Sequence, residues 1–408
     1  MKTINRKTLF LPVLAFCSFL VGFDLIVTIP LIPTMAKETN MPIELGGLLV
    51  AVYAVFYALS APVFGALSDR LGRKKMLLFG SVVFALATAL TGTASSFVML
   101  LTFRALSGIG AGMVGPVVFA LVGDRYAYKE RGRAIGIVTG ALISASIVGV
   151  PLGGYVAQLF SWRLAFWLIG FLSIASSIAV WKFIPNIAQD IQKTDHSLLV
   201  VVKQFRTALS NRSVFLALLV TLLYYGGLQG MFVNIGTFYS IKFDLTSGDI
   251  GLVLMTAGFG SVIGSVVGGR LADKYGKKVM ILGSSLVVAA SVMVISMTNS
   301  LVPAILINVL WATVYGFGQS ALTALISELS PSIRGTVMSL NSSAMHMGSA
   351  LFAAIAASLL HGGSFIWIGI FCAAANVIVF LVTMIIRERQ PKEVRRARTA
   401  KDISMERA

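Results

Sequence analysis

The sequence predicts an all-α integral membrane protein with twelve transmembrane helices in two pseudo-symmetric halves. Of its 408 residues, 57% are hydrophobic and only 12% are charged, which is too apolar for a water-soluble domain. Twelve apolar stretches are long enough to cross a bilayer as helices. A charged, glycine-bounded loop at Gly65 recurs at Gly269, an offset of 204 residues, and this repeat indicates two related halves.

The apolar stretches define the predicted spans and the organisation of the chain. The spans are predicted at 8–35, 45–68, 76–95, 97–122, 134–157, 164–184, 213–240, 250–271, 279–297, 302–326, 335–360 and 364–386. We expect an N-terminal six-helix bundle over 1–185, a cytoplasmic linker over 186–212, a C-terminal six-helix bundle over 213–390 and a basic cytoplasmic tail over 391–408.

The distribution of Lys and Arg predicts the orientation. All 33 of these residues lie at one predicted side of the membrane except Lys37, Arg163, Lys242 and Arg104. Because basic loops stay inside, we expect a multi-pass protein of the cell membrane with both termini cytoplasmic. The net charge of +17 is then explained by topology and by anionic lipid headgroups, so membrane lipids are expected partners and nucleic acid is not.

Two ionisable residues lie inside predicted spans. Asp24 lies in the middle of span one, about two turns before Pro30 and Pro33, and Arg104 lies early in span four. Such groups are costly at membrane depth, so each is a candidate for proton and substrate coupling. Burial favours a neutral carboxyl and a nearby guanidinium favours the charged form, so a pair of this kind can switch with its proton. The alternatives are a helix-end position for Asp24 and a clamp on backbone carbonyls for Arg104. The sequence leaves open whether the two residues meet.

The repeated loop is a candidate cytoplasmic gate. Its first copy reads Gly65-Ala-Leu-Ser-Asp69-Arg70-Leu-Gly72-Arg73-Lys74 and its second reads Gly269-Arg270-Leu-Ala-Asp273-Lys274-Tyr-Gly276-Lys277-Lys278. A loop that only fixes topology explains the basic residues but not the repeated Asp and Gly. We expect Asp69 to engage the positive N-terminus of span eleven in the other half and to close the inner side in one state.

Other polar residues of the spans are candidates for lining a cavity, with helix-to-helix packing as the alternative for each. They are Tyr53, Tyr57, Tyr224, Tyr225, Gln229, Asn234, Asn308, Asn341 and His346. The second half has no acid and base at the positions 204 residues after Asp24 and Arg104, which are Leu228 and Asn308. Proton chemistry is therefore expected in the N-terminal half.

These residues together resemble the major facilitator superfamily, over about residues 8–386. The loop over 65–75 matches the family's loop between helices two and three. Arg104 and the glycines after it resemble the helix-four motif linked to proton transfer, with Ser107 where Gln is usual. Asp24 resembles the acid of the drug:proton antiporter branch. The helix-five motif of antiporters is matched, with its proline one place later than in the commonest form, by Gly149, Pro151, Gly153 and Gly154.

The resemblance implies two six-helix bundles that rock about a central cavity. The function it implies is proton-driven antiport of small lipophilic or cationic compounds, that is, multidrug efflux and antibiotic resistance. The alternative on the same fold is an exporter of sugars or siderophores, or a lipid flippase. A sugar site would more often be lined by many Asn, Gln and Trp, and the spans are poor in these residues.

Other classes of protein find little support in the sequence. A channel or receptor would need a filter-like loop, rings of charge or a long extramembrane domain. An enzyme would need a metal-ligand cluster, a phosphate-binding glycine loop or a nucleophile with its base, and none of these patterns is found in the sequence. We therefore expect no enzymatic activity, no metal and no cofactor, a proton gradient as the energy source, and a monomer that binds a small-molecule substrate.

Overall fold

The computed structural model describes residues 6–126, 128–185, 205–329, 334–360 and 364–386. These residues contain twelve helical spans long and apolar enough to cross a membrane, so the predicted fold class and number of spans are confirmed. Within this part of the chain the regular structure is entirely helical. Residues 186–204 of the predicted linker and the whole predicted tail lie outside the described residues.

Six spans form the N-terminal half. Its helices are α1 (Arg6–Thr39), α2 (Gly47–Leu71), α3 (Arg73–Thr91), α4 (Phe97–Arg125), α5 (Tyr128–Ser144), α6 (Val150–Leu159) and α7 (Trp162–Phe183). The fifth span comprises α5 and α6, which are joined by a π-helical turn at Ala145–Gly149. Such turns are frequent at functional sites, and this one lies where the fifth span meets the other half of the molecule.

Six further spans form the C-terminal half. Its helices are α8 (Arg212–Val233), α9 (Ile235–Phe243), α10 (Ser247–Tyr275), α11 (Lys277–Met297), α12 (Leu301–Leu329), α13 (Arg334–Leu359) and α14 (Ile366–Ile385). The seventh span comprises α8 and α9, which break at Asn234. The start of α8 is capped by Asn211, whose side chain accepts a hydrogen bond from the Ser213 amide at 3.0 Å.

Each half has its own hydrophobic core. The core of the N-terminal half centres on α1, α3, α4 and α7, and that of the C-terminal half on α8, α9, α11 and α12. Four residues of the N-terminal half, Ile29, Val50, Ala51 and Val150, are buried in the core of the other half. We call the end of the molecule where α1 begins and α14 ends the basic end, and the opposite end the distal end.

The two copies of the repeated loop have the same backbone conformation. Gly72 ends α2 with a φ of 95°, and Gly276 ends α10 with a φ of 98°. A residue with a side chain is strained at such an angle, so each copy requires glycine there. The shared turn explains why the glycine recurs in the sequence.

The first basic residue after each glycine binds an acid of its own half. Arg73 pairs with Asp124 at the end of α4. The Lys277 ammonium lies 2.5 Å from the Glu328 carboxylate at the end of α12. Both partners are shifted by the same 204 residues, as the numbers 73 and 277 and the numbers 124 and 328 show. The pair thus ties the loop to the fourth span of each half.

The second basic residue caps the last span of its half. Lys74 donates to the carbonyl of Trp181 at 2.8 Å. Lys278 donates to the carbonyls of Met384 at 2.6 Å and Ile386 at 3.0 Å. These carbonyls end α7 and α14, where a helix leaves acceptors without an intrahelical donor and favours a cation. We call these contacts and the preceding ion pairs the loop clamps.

The two halves approach each other closely near the distal end. Pro33 of α1 has no N–H, so the carbonyl of Ile29 has no donor four residues on. That oxygen faces Gly236 of α9, and a Cβ built on Gly236 would lie 2.3 Å from it. A second contact joins the Thr34 and Ser247 hydroxyls, 2.9 Å apart, which we call the distal hydroxyl pair. Glycine at 236 therefore lets the backbones of the two halves touch.

The helix-five motif packs on two sides. Cβ atoms built on Gly149 and Gly153 would lie 2.6 and 2.2 Å from side chains of α1. Pro151 and Gly154 face α10 of the other half: a Cβ on Gly154 would lie 2.5 Å from the Ser247 carbonyl. Towards the basic end the same span is looser, since no described atom lies within 4 Å of a Cβ built on Gly136. The motif thus lies at the junction of α1 and the other half.

Candidate functional site

Asp24 lies in the middle of α1 and is fully buried, with a relative exposure of 0%. A glycine two residues earlier brings a neighbouring helix close: a Cβ built on Gly22 would lie 2.7 Å from the Leu142 carbonyl of α5. The carboxylate is therefore enclosed by packed helices of its own half. The helix-end alternative for Asp24 does not describe this position.

Arg104 lies two turns into α4 and is also fully buried. The helix begins at a Ser96 cap whose hydroxyl accepts from the Met99 amide at 3.3 Å. One guanidinium nitrogen, Nη1, donates to Oδ2 of Asp24 at 2.8 Å, and Nε donates to the Leu49 carbonyl of α2 at 3.4 Å. The sequence left open whether the two ionisable residues meet, and the structure joins them as an ion pair.

The aromatic ring of Tyr53 completes the surroundings of the guanidinium. The central carbon of the Arg104 guanidinium lies 4.5 Å from the ring centroid, a cation–π distance. Helices α2 and α4 touch just beside it, because a Cβ built on Gly108 would lie 2.4 Å from the Tyr53 carbonyl. Tyr53, predicted to line a cavity, is fully buried under the ion pair.

Three polar atoms around this pair have no hydrogen-bond partner among the described residues. They are Oδ1 of Asp24, Nη2 of Arg104 and the hydroxyl of Tyr53. Burying an ion pair is favourable only when the remaining donors and acceptors are satisfied. The pair is thus incompletely satisfied in this state, as expected for a group that changes partners.

A hydroxyl network extends from the acid into α3. Thr88 lies close to the Asp24 carboxylate, and its hydroxyl is 3.5 Å from that of Ser107 on α4. Ser107 stands where the related helix-four motif usually has Gln. Thr88 was not among the predicted site residues, because a lone Thr in an apolar span carries no signal until its neighbours are known.

Aromatic residues of both halves meet at the centre of the molecule. The rings of Tyr57 on α2 and His346 on α13 are 4.0 Å apart, and this contact crosses between the halves. Tyr315 of α12 stacks on Tyr224 at 4.9 Å and lies 6.2 Å from Tyr225. Four of these five residues were predicted cavity candidates, and Tyr315 was missed because a single Tyr in an apolar run is equally typical of a packed core.

Two amides of the second half are held by local contacts. Asn341 accepts from the Thr221 hydroxyl at 2.8 Å, and Asn234 donates to the Gly230 carbonyl at 2.9 Å where α8 ends. Both are buried, with exposures of 3% and 0%. Their described contacts fit the packing alternative that the sequence left open for each.

Two further amides retain unused hydrogen-bonding groups. Asn308, at the position equivalent to Arg104, is fully buried, and neither of its amide atoms has a described partner. Gln229 is half-buried, and its side-chain oxygen also lacks a partner among the described residues. These two remain candidates for contact with a bound molecule or water.

The predicted gate residues are only partly described. The side chains of Asp69 and Arg70 lie outside the described residues, so the expected contact of Asp69 with span eleven stays a prediction. Asp273 is exposed. The contacts described above for the basic residues of both loops lie within their own halves. In the described part of the chain no group of three or more His, Cys, Asp or Glu residues is placed to hold a metal ion.

Comparisons with known proteins agree with this architecture. A family model described as the Major Facilitator Superfamily matches residues 14–331 and 219–406. The chain is 27% identical to the uncharacterized MFS-type transporter YceJ of Bacillus subtilis strain 168 over 402 residues, which cover 98% of this chain and 99% of YceJ.

Two relatives carry names that refer to drugs. Multidrug resistance protein 2 of Bacillus subtilis strain 168 is 26% identical, with 95% of this chain and 98% of that protein covered. The quinolone resistance protein NorA of Staphylococcus aureus strain MRSA252 is 25% identical, with 91% and 95% covered.

A solved structure shares the fold. It is the crystal structure of a bacterial homolog to the human lysosomal transporter Spinster, in an inward-facing and unoccupied conformation, with a TM-score of 0.76 and 17% identity. The match covers 95% of this chain and 100% of that chain. Together with the family model, which spans most of the sequence, these matches establish that the chain is a membrane transporter, not an enzyme, and belongs to the major facilitator superfamily.

Proposed function

We propose that this transporter exports small lipophilic or cationic compounds from the cell in exchange for protons. The observation that carries the proposal is the fully buried ion pair of Asp24 and Arg104, with 2.8 Å between Nη1 and Oδ2. An acid buried in a span is expensive unless it has a function. A carboxylate that gains and loses its proton there is a means of coupling a proton gradient to transport.

The pair has two states with different partners. When Asp24 is charged, Arg104 neutralises it. When Asp24 takes up a proton, the charge of Arg104 is no longer balanced, and the guanidinium is drawn towards water, an anion or another acceptor. A change of this kind biases the packing of α1 against α4 and α5, and α1 also contacts the C-terminal half at Gly236. Protonation can therefore be linked to the movement of the two halves.

The chemistry of the centre supports a lipophilic or cationic substrate. Tyr57, Tyr225, Tyr315 and His346 supply aromatic surface from both halves, and ring faces attract cations as well as flat apolar molecules. A sugar or siderophore exporter would need many more amides and hydroxyls there. The relatives named for multidrug and quinolone resistance support the same substrate class.

The orientation and surroundings are part of the proposal. The basic end carries both copies of the repeated loop, so it is placed in the cytoplasm together with both termini. The protein is then a multi-pass component of the plasma membrane that works as a monomer, and its basic residues lie next to anionic lipid headgroups. It needs no cofactor besides the proton gradient.

A transport screen in inverted membrane vesicles tests the proposal. Vesicles containing the protein are energised to acidify their interior, and uptake of fluorescent lipophilic cations is compared with uptake of sugars, siderophores and labelled lipids. Uptake of cations that stops when the pH gradient is collapsed supports proton-coupled efflux. Uptake that persists without the gradient, or that is confined to sugars, siderophores or lipids, contradicts it.

A further inference from the structure

A buried tyrosine adjoins the ion pair without being its acid or its base. Tyr53 of α2 is fully buried, and its ring lies 4.5 Å from the central guanidinium carbon of Arg104. Five turns of packed helix surround it, so neither bulk water nor lipid competes for the ring face. A desolvated cation–π contact of this kind is among the stronger ones.

The hold of α2 on Arg104 does not depend on the charge of Asp24. The guanidinium Nε donates to the Leu49 carbonyl at 3.4 Å, one turn before Tyr53 on the same helix. When Asp24 is neutral, the Coulomb attraction to Arg104 is lost, and the ring and this carbonyl still hold the cation. Helix α2 therefore restrains the guanidinium in both protonation states.

The backbone fixes the register of this contact. The close approach of Gly108 to the Tyr53 carbonyl leaves no room for a Cβ, with a distance of 2.4 Å. Arg104 lies one turn before Gly108 on α4. The ring and the guanidinium are thus brought together by two helices that cannot slide past each other without a clash.

The three unpartnered atoms complement one another. Oδ1 of Asp24 accepts, Nη2 of Arg104 donates, and the Tyr53 hydroxyl does both. They belong to three side chains that contact each other through the ion pair and the ring stack. A buried water molecule makes about three hydrogen bonds to such groups and would satisfy all three atoms.

We propose that Tyr53 is a positioning residue for the Asp24–Arg104 pair, its ring holding the guanidinium and its hydroxyl sharing one bound water with the two charged groups. The inference deepens the proposed function, because it rests on the pair being the site of proton coupling. It assigns separate contributions to the ring and to the hydroxyl of one side chain, and these can be removed one at a time.

Two substitutions separate the contributions. Tyr53→Phe keeps the ring and removes the hydroxyl, and Tyr53→Leu removes both; Tyr53→Met, which is long and flexible, replaces Leu if that variant does not fold. The measurement is substrate-evoked proton flux in proteoliposomes as a function of pH. We expect the profile of Tyr53→Leu to be displaced by about half to one and a half pH units, the equivalent of a lost cation–π contact.

The expected order of displacement is wild type, then Tyr53→Phe, then Tyr53→Leu. If Phe and Leu coincide, the ring contributes nothing and its assignment is overturned. If Phe coincides with the wild type, the shared water is overturned, and coincidence of all three profiles overturns the whole proposal. A structural role alone would lower the flux without moving its pH profile.

Tyr239 supplies the matched control. It is also fully buried with an unpartnered hydroxyl, but it lies on α9 in the other half. Tyr239→Phe and Tyr239→Leu are expected to leave the pH profile in place, and a displacement equal to that of the Tyr53 variants would overturn the proposal. Asp24→Asn is measured in parallel: retained proton coupling there refutes the proposed function, whereas lost coupling with unaltered Tyr53 variants refutes this inference alone.

Discussion

Replacing Asp24 by Asn removes the titration of the buried acid while keeping its shape. The amide oxygen can still accept from Nη1 of Arg104, which lies 2.8 Å from Oδ2 in the wild type. It cannot gain or lose a proton near neutral pH. We therefore expect the variant to bind a neutral substrate and to exchange it downhill, but not to accumulate substrate at the expense of a pH gradient.

The size of the effect on accumulation follows from the energy of the gradient. One pH unit is worth about 1.4 kcal/mol per proton, so one-for-one exchange sustains about a tenfold substrate gradient. In Asp24→Asn that gradient should fall to equality. For a cationic substrate the affinity should fall as well, since a charge pair at about 4 Å is worth on the order of 4 kcal/mol at an effective dielectric constant of about 20.

The substitution also affects stability. Breaking a buried ion pair by removing one partner costs about 3–5 kcal/mol, because it leaves a charge uncompensated. The C-terminal half offers a neutral counterpart: its equivalent positions hold Leu228 and Asn308, which are both buried. The double variant Asp24→Leu with Arg104→Asn should therefore recover stability without recovering accumulation.

The assay combines two measurements on the purified protein. Thermal unfolding in detergent gives the stability of the single and double variants. Substrate accumulation in proteoliposomes with an imposed pH gradient gives the coupling. Accumulation by Asp24→Asn at the wild-type level would refute the reasoning and direct attention to His346, which lies at the centre of the molecule.

The gate and the distal contact lead to two further predictions. Asp69→Asn should abolish most transport with normal membrane insertion, and Asp273→Asn should do less, since that carboxylate is exposed; equal and mild effects in a transport assay would reduce both to topology signals. Gly236→Ala should separate the halves at the distal end and slow cross-linking of cysteines placed at the distal hydroxyl pair, because its Cβ would lie 2.3 Å from a carbonyl of α1. Gly136→Ala is the matched control, and if it slows cross-linking equally, the effect is not due to that contact.

The number of spans followed from composition, but their ends did not. Helix α1 continues to Thr39, four residues beyond the predicted end at 35. Its last turn contains polar residues, and Glu38 there accepts from the Trp162 indole at 2.9 Å and pairs with Arg163. Contacts with a helix more than 120 residues away in the sequence therefore extend the first span, as the separation of 124 residues shows. Hydropathy carries no information about such partners.

The candidate acid and base could be found from the sequence because charge is rare in apolar spans. Their contact could not, since it depends on how α1 and α4 cross. For the same reason Tyr53 could not be separated from Tyr57: both lie on α2 one turn apart, yet one contacts Arg104 and the other contacts His346 of the other half. The direction in which each side chain points is decided by packing.

The loop clamps have a consequence for how this protein can change. The lysines and arginines that the positive-inside rule counts are the same groups that hold α4 and α7 to the loop, and α12 and α14 to its repeat. A mutation that neutralises one of them weakens both the insertion signal and the joint between helices. Orientation in the membrane and cohesion of each bundle are therefore inherited together, and neither can drift in evolution while the other stays constant.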